Sequence, residues 1–394
     1  MEIMGSTYSE DSIAVTGLGM VGSLGTDSVT CAAAFRAGLS GAKELGGFLV
    51  LNQQENTYQS ICAHQVPFPT EGFEGLGRLV RLGWGALQDL LAQDDIRKEN
   101  NKRTGVILAL RDYRRPKENL PDVDVTPVHQ EATIPHTGEF ERKDFVQRMG
   151  KQLFQKLSKL VSWRFPEPSL EIIDAGHAGV CSAIHTAMQG LRTGVHDRYL
   201  VGGIDSFLNR ESLGWLAENY LMKTEELPSG MQPGEAGTFM ILEKYRTACA
   251  RKAPIGGVIS ATSVGFEQEN LFVGRPCRGE GLVTVLSDVF AKMSKEASGV
   301  RWIITDQNGE VYRASEWGNA LVRLLPKYSE MQNAKIWFPA TSFGDTGAAS
   351  GGVAVCQAIR AFGRNYAITS TATVTSSSPW GERAALVVSK FLST

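Results

Sequence analysis

The sequence predicts an α/β fold built from two related halves, and three observations carry that expectation. Short apolar runs of strand length, such as Thr104–Ala109 and Leu170–Ile173, alternate with longer segments of helical period. Two small-residue turns, Gly176-His177-Ala178-Gly179 and Gly344-Asp345-Thr346-Gly347, each open an alanine- and glycine-rich helix. Holding these turns in register (176 against 344, 168 residues apart) pairs Ser182 with Ser350, Gln189 with Gln357 and Arg192 with Arg360. Matches in one register over a helix suggest an internal duplication with pseudo-two-fold symmetry. The halves are expected to divide at 12–250 and 251–394.

Taken in order, Ile13–Gly25 reads as a strand entering a glycine-rich turn. A helix follows from Asp27 or Ser28 as N-cap through Ala37, with Gly38 placed to end it. Gly17, Gly19 and Gly22 match the spacing of a dinucleotide turn. No acidic residue follows at the end of a second strand, so these glycines are read as structural. Leu76–Leu91 has helical period and Thr104–Ala109 is a buried strand. Arg111–Gly138, with Pro116, Pro121, Pro127 and Pro135, is a long polar excursion of the kind that covers a site or meets a partner. From Arg142 to Ser162, Phe145, Met149, Leu153, Phe154, Leu157, Leu160 and Val161 recur at helical spacing and suit packing. The strand Leu170–Ile173 then feeds the His177 turn and a helix through Leu191.

Composition narrows the function. The 394 residues suffice for a large core or two fused halves. A net charge of −2 gives no footprint for nucleic acid or an anionic membrane surface. No apolar run reaches the length of a membrane span, and the start lacks a signal-like apolar stretch. Six cysteines (31, 62, 181, 249, 277 and 356) without a C-x-x-C pair suggest reduced thiols and a cytoplasmic setting.

His177 is the reactive side chain with the best placement. Free N–H groups and the dipole at a helix start disfavour positive charge, which suits an imidazole acting as general base or nucleophile. Cys181, one turn later, lies deeper along a helix expected to be buried, so it is read as a packed, inert thiol. His177, Cys181 and His185 form an i, i+4, i+8 line. A straight stripe wraps a metal poorly and no fourth ligand is apparent, so no metal is expected. His185 reads as a satisfied core residue and Trp317 as packing.

The chain resembles the β-ketoacyl synthases, of the thiolase fold, from about residue 12 to its end. Val15-Thr16-Gly17-Leu18-Gly19 opens as they do, and Ile173–Gly203 is similar to their nucleophile region. Gln232–Glu243 looks like their "GEGAGxxVLE" strand, Gly344–Gly351 like "GHxxGAAG", and Ala384–Val388 like the closing strand. The resemblance implies a five-layered αβαβα fold with two pseudo-symmetric halves.

The same resemblance implies changed chemistry. The family's acyl-accepting cysteine falls at His177, its two histidines at Asn308 and Asp345, and its lysine at Ala340. The threonines that hold the pantetheine arm become Glu310 and Tyr312, and the terminal "GFGGTN" loop becomes Ser378–Arg383. Normal condensation is therefore not expected. His177, with Asp345 to orient it and Asn308 to donate to an oxyanion, implies altered acyl transfer or hydrolysis of carrier-protein- or CoA-linked thioesters. Glu310, Tyr312, Thr341 and Pro379 would then contact substrate, with no cofactor. The alternative is a non-catalytic partner subunit resembling a chain-length factor. Either way a homodimer, or a heterodimer with a ketosynthase, is expected.

Overall fold

The computed structural model describes residues 12–52, 55–93, 103–114, 139–163, 169–293 and 299–392. Of the proline-rich excursion only Arg111–Arg114 falls among them; its four prolines lie outside the described residues.

Ten strands form one continuous sheet that divides into two sets of five. The first set is β1 (Ile13–Gly22), β4 (Thr104–Ala109), β5 (Leu170–Ile173), β6 (Arg198–Ser206) and β7 (Glu235–Lys244). The second is β8 (Gly257–Phe266), β9 (Trp302–Thr305), β10 (Lys335–Trp337), β11 (Thr371–Ser377) and β12 (Glu382–Lys390). Strands β2 (Lys43–Asn52) and β3 (Thr57–Ala63) make a separate antiparallel ribbon. Counted along the chain, each set has the same spatial order: third, second, fourth, fifth, first. Directions repeat too. β4 runs parallel to β5 and β6, as β9 does to β10 and β11, and the other pairings within each set are antiparallel. The sets meet where Ile13, Ala14 and Val15 of β1 pair with Ile259, Val258 and Gly257 of β8.

Helices complete five layers. On the outer face of the first set lie α3 (Gly75–Gln93) and α4 (Glu139–Leu160), and outside the second lie α8 (Glu280–Ala291) and α9 (Val311–Leu324). Between the sheets run α5 (Gly179–Thr193) and α11 (Ser350–Gly363), each packing on strands of both halves. Shorter elements are α1 (Ser28–Arg36), α2 (Pro67–Thr70), α6 (Arg210–Glu218), α7 (Tyr245–Ala250) and α10 (Ala340–Phe343).

Local chemistry explains the main boundaries. The Asp27 side chain accepts the Thr30 N–H at 2.7 Å and starts α1. β1 is buried along its whole length, so it reads as a run of small and apolar residues with no alternation. A Cβ at Gly19 would lie 2.0 Å from the Ala86 carbonyl oxygen of α3. The glycine spacing in β1 thus serves helix–sheet contact. In α4, Leu153, Phe154 and Leu157 join the core under α3, with Phe145 and Met149 packed against it, whereas Leu160 turns outward.

The duplication is real in topology, but its register differs from the sequence match. Gly176–Ala178 and Gly347–Ala349 are the two one-turn 3₁₀ segments that lead into α5 and α11. Gly176 has φ 49° and Gly347 φ 51°, and the residues before them, Ala175 and Thr346, both have φ −102°. Backbone geometry therefore pairs 176 with 347, three residues beyond the 168-residue match. A three-residue slip is nearly one helical turn, so it keeps small residues aligned with small residues.

Candidate functional site

The site forms where both 3₁₀ segments arrive between the sheets. His177 sits in the first, just before α5. Asp345 lies two residues ahead of the second, its N–H donating to the Gln232 carbonyl at 2.8 Å. The His177 imidazole Nε2 is 2.7 Å from Asp345 Oδ1 and 2.9 Å from Oδ2, with both residues buried. Asn308, in the loop after β9, donates from Nδ2 to Asp345 Oδ2 at 2.6 Å and to Glu310 Oε2 at 3.0 Å. The Gly347 N–H adds a fourth contact, to Asp345 Oδ1 at 2.8 Å.

These contacts fix the charge on Asp345. Burial works against ionisation, but His177, Arg313 and the Asn308 amide outweigh it and hold the carboxyl well below the usual carboxylate range. An ionised carboxylate only accepts hydrogen bonds, so Nε2 carries a hydrogen. The other ring nitrogen, Nδ1, has no hydrogen-bond partner among the described residues, and His177 lines a cleft of about 90 Å³.

An ionic frame surrounds this pair. Arg313 binds Glu310 at 2.8 Å and Asp306 at 3.1 Å, and Asp306 also accepts the Ser377 N–H at 2.8 Å. Across the cleft, Arg111 Nη2 and Nε lie 2.8 and 2.9 Å from Asp205 Oδ1, and Arg111 also reaches Ser212 Oγ and the Ser206 carbonyl. Its guanidinium stacks 4.4 Å above the Phe207 ring. The other Asp205 oxygen accepts the Ala348 N–H at 2.9 Å, which ties Arg111 to the second 3₁₀ start. At the mouth, Arg114 joins Asp112 to Glu382 (2.6 Å) and lies 5.4 Å above the Trp380 ring. Burial raises the Asp112 carboxyl above its ordinary range, although Arg114 opposes the shift.

The residues singled out from sequence fall into different places. His177, Asn308 and Asp345 converge, but both Asn308 amide hydrogens are committed to carboxylates, so none remains for an oxyanion. Pro379 lines the cleft. Glu310 instead belongs to the Arg313 frame. Tyr312 donates to the Glu269 carbonyl and accepts from Arg383, both at 3.0 Å, away from the cleft. Thr341, beside Ala340 in α10, is exposed and its hydroxyl donates to the Phe338 carbonyl at 2.8 Å.

Cys181 is fully buried 3.5 Å from Ser376 Oγ, and burial pushes its thiol up to about 12. His185 faces Thr262 and Gln189, so the i, i+4, i+8 line does not converge. Trp317 packs against the core between α8 and α9. Elsewhere Glu267, Cys277 and Glu316 bring ligand atoms within 4.8 Å of one another, but Arg383 Nε lies 2.6 Å from Glu316 and supplies the cation there. Sequence reasoning missed Arg111, Asp205, Phe207, Trp215 and Arg313. The one available signal was position: Arg111 lies two residues past the apolar strand β4 and Asp205 one residue before the end of its neighbour β6.

Comparison by sequence finds no matching family profile and no matching curated protein. Comparison by structure is decisive for the fold. The oxazolomycin ketosynthase domain of Streptomyces albus superposes with a TM-score of 0.72 at 13% identity, covering 97% of this chain and 74% of that one. A ketosynthase from module 6 of the bacillaene synthase of Bacillus subtilis gives 0.71 at 14%, covering 97% and 72%. The fold is that of the ketosynthases. A third ketosynthase-fold neighbour comes from a structure of a type II polyketide synthase acyl-carrier protein in complex with its ketosynthase bound to the hexaketide. It matches at 0.71 and 17%, covering 96% of this chain and 99% of that one. Within this fold, α5 and α11 bring His177 and Asp345 together between the sheets. No described helix is long and apolar enough to cross a membrane.

Proposed function

We propose that this chain is a non-catalytic, ketosynthase-like subunit that works in the cytoplasm beside an active ketosynthase on chains carried by acyl-carrier protein. One observation carries the reading: the residues at the expected catalytic positions close on one another. Asp345 accepts from His177, Asn308 and Gly347, and Arg111 and Arg313 are spent on buried carboxylates. In the terminal loop the Ser378 N–H is tied to the Glu382 carbonyl at 2.8 Å and Pro379 has no N–H to offer. The cleft beside His177 measures about 90 Å³. A thioester carbonyl would meet a base without an electrophilic partner, and stabilisation of the developing oxyanion is usually the largest single contribution in acyl transfer. The structural neighbour described with its acyl-carrier protein supports the choice of chemistry.

The unpartnered His177 Nδ1 favours a second reading, acyl transfer or hydrolysis with His177 as base and Asp345 as its orienting group. The test is reconstitution with an active ketosynthase and loaded acyl-carrier protein. The partner reading expects products to require this chain and His177→Ala to leave turnover within about twofold. Loss of about a hundredfold or more, the scale of a missing general base, would establish the second reading.

A further inference from the structure

Asp345 stands in a stretch of backbone that can turn in many ways unless something holds it. Gly344 precedes it with φ 71° and ψ −173°, and Gly347 follows with φ 51°. Glycine reaches such angles without steric cost, but it does not select them. The carboxylate that meets His177 is therefore aimed by contacts from outside its own segment.

Several of these contacts come from one buried imidazole that does not line the cleft. His64 directly follows β3, the second strand of the separate ribbon, and is fully buried. Its Nδ1 lies 2.9 Å from the Ser342 carbonyl oxygen, and because a carbonyl only accepts, Nδ1 carries a hydrogen. Its Nε2 faces the Gln232 side chain, 3.4 Å from Oε1. The ring also covers Gly344, where an added Cβ would lie 2.7 Å from His64 Cδ2. The main chain follows the same course. The His64 N–H donates to the Pro233 carbonyl at 2.7 Å, and His64 pairs with Gly234 as Pro233 pairs with Asp345. The Asp345 N–H closes the clip on the Gln232 carbonyl.

We infer that His64 is a positioning residue for Asp345: through its Nδ1–H bond to Ser342 it fixes the turn that aims the carboxylate at His177. The Ser342 carbonyl also accepts the Gly41 N–H at 2.9 Å. Losing the imidazole thus leaves no unpaired acceptor at Ser342, and what the second donor adds is direction. The inference concerns how the His177–Asp345 pair is held and stands whichever function that pair serves.

Histidine-selective ¹⁵N labelling and NMR of the whole protein test it. The chain has six histidines, and His177→Gln identifies the Nε2–H signal of the bond to Asp345. Two variants separate direction from bulk. Asparagine carries its amide nitrogen as far from the backbone as Nδ1, so His64→Asn should keep the donor to Ser342 and leave the His177 signal in place. Glutamine carries it further out, towards Gln232. His64→Gln should therefore shift the His177 signal and speed its exchange with solvent about tenfold, the loss of one hydrogen bond. Both variants lose the ring over Gly344, so their melting temperatures should fall alike, and a merely structural role would move the signal equally in both. Equal changes in the two variants, or an unchanged signal in His64→Gln, would overturn the proposal.

Discussion

At the scale of residues, the site is governed by one carboxylate. Asp345 accepts three hydrogen bonds in a buried position and is held below its ordinary range. Its contribution to stability is therefore present above the unfolded value of about 4 and is lost as pH falls through the lower folded value. Asp345→Asn should cost about 1.5–3 kcal/mol at pH 7, the usual worth of hydrogen bonds to a charged group. Urea unfolding at a series of pH values is the check: the difference from wild type should shrink as pH falls below 4. A difference that stays unchanged at pH 3 would mean that ionised Asp345 is not what holds His177. The meeting of His177 and Asp345 was legible in the sequence, because each stands in a turn of small residues that opens a buried helix, and Asn308 was placed with them only by the resemblance. Their wiring was not, because both Asn308 hydrogens could be assigned only once Glu310 was placed beside Asp345.

At the scale of elements, the pair α5 and α11 sets the centre. Gly351 of α11 faces Cys181 of α5 so closely that an added Cβ would lie 2.8 Å from the sulfur and 3.4 Å from the Cys181 nitrogen. Alanine is the better helix former by about 1 kcal/mol, yet overpacking a tight core costs about 1–3 kcal/mol. Gly351→Ala should thus lower the melting temperature, and adding Cys181→Ala should recover most of the loss. Simple additivity of the two changes in a double-mutant cycle would count against the contact. This also gives Cys181 a packing role that fits its raised thiol. Periodicity found these helices and the strands Thr104–Ala109 and Leu170–Ile173. It could not fix the register of the duplication, because small residues recur along both buried helices and a slip of about one turn leaves the pattern intact. Nor could it show Leu160 turning outward at the last residue of α4.

At the scale of the whole molecule, the sheet ends on β5 and β10, equivalent strands in the two halves. β10 has only three residues, with a 3₁₀ segment at Ser329–Asn333 just before it, and so makes a blunt edge. β5 presents Leu170–Ile173 as an apolar edge whose outer side pairs with no strand among the described residues. Open apolar edges invite pairing with another chain, and a two-fold axis beside β5 would join two sheets and cover both edges at once. Light scattering at micromolar concentration should therefore give twice 42.8 kDa for this chain alone, or a one-to-one complex with a ketosynthase. Hydrogen exchange would place the contact: the outward amides of Leu170–Ile173 should be slow in the assembly and speed up on dilution. A particle of 42.8 kDa under both conditions, with fast exchange along β5, would leave the edge open and remove the physical basis for a partner subunit at that face.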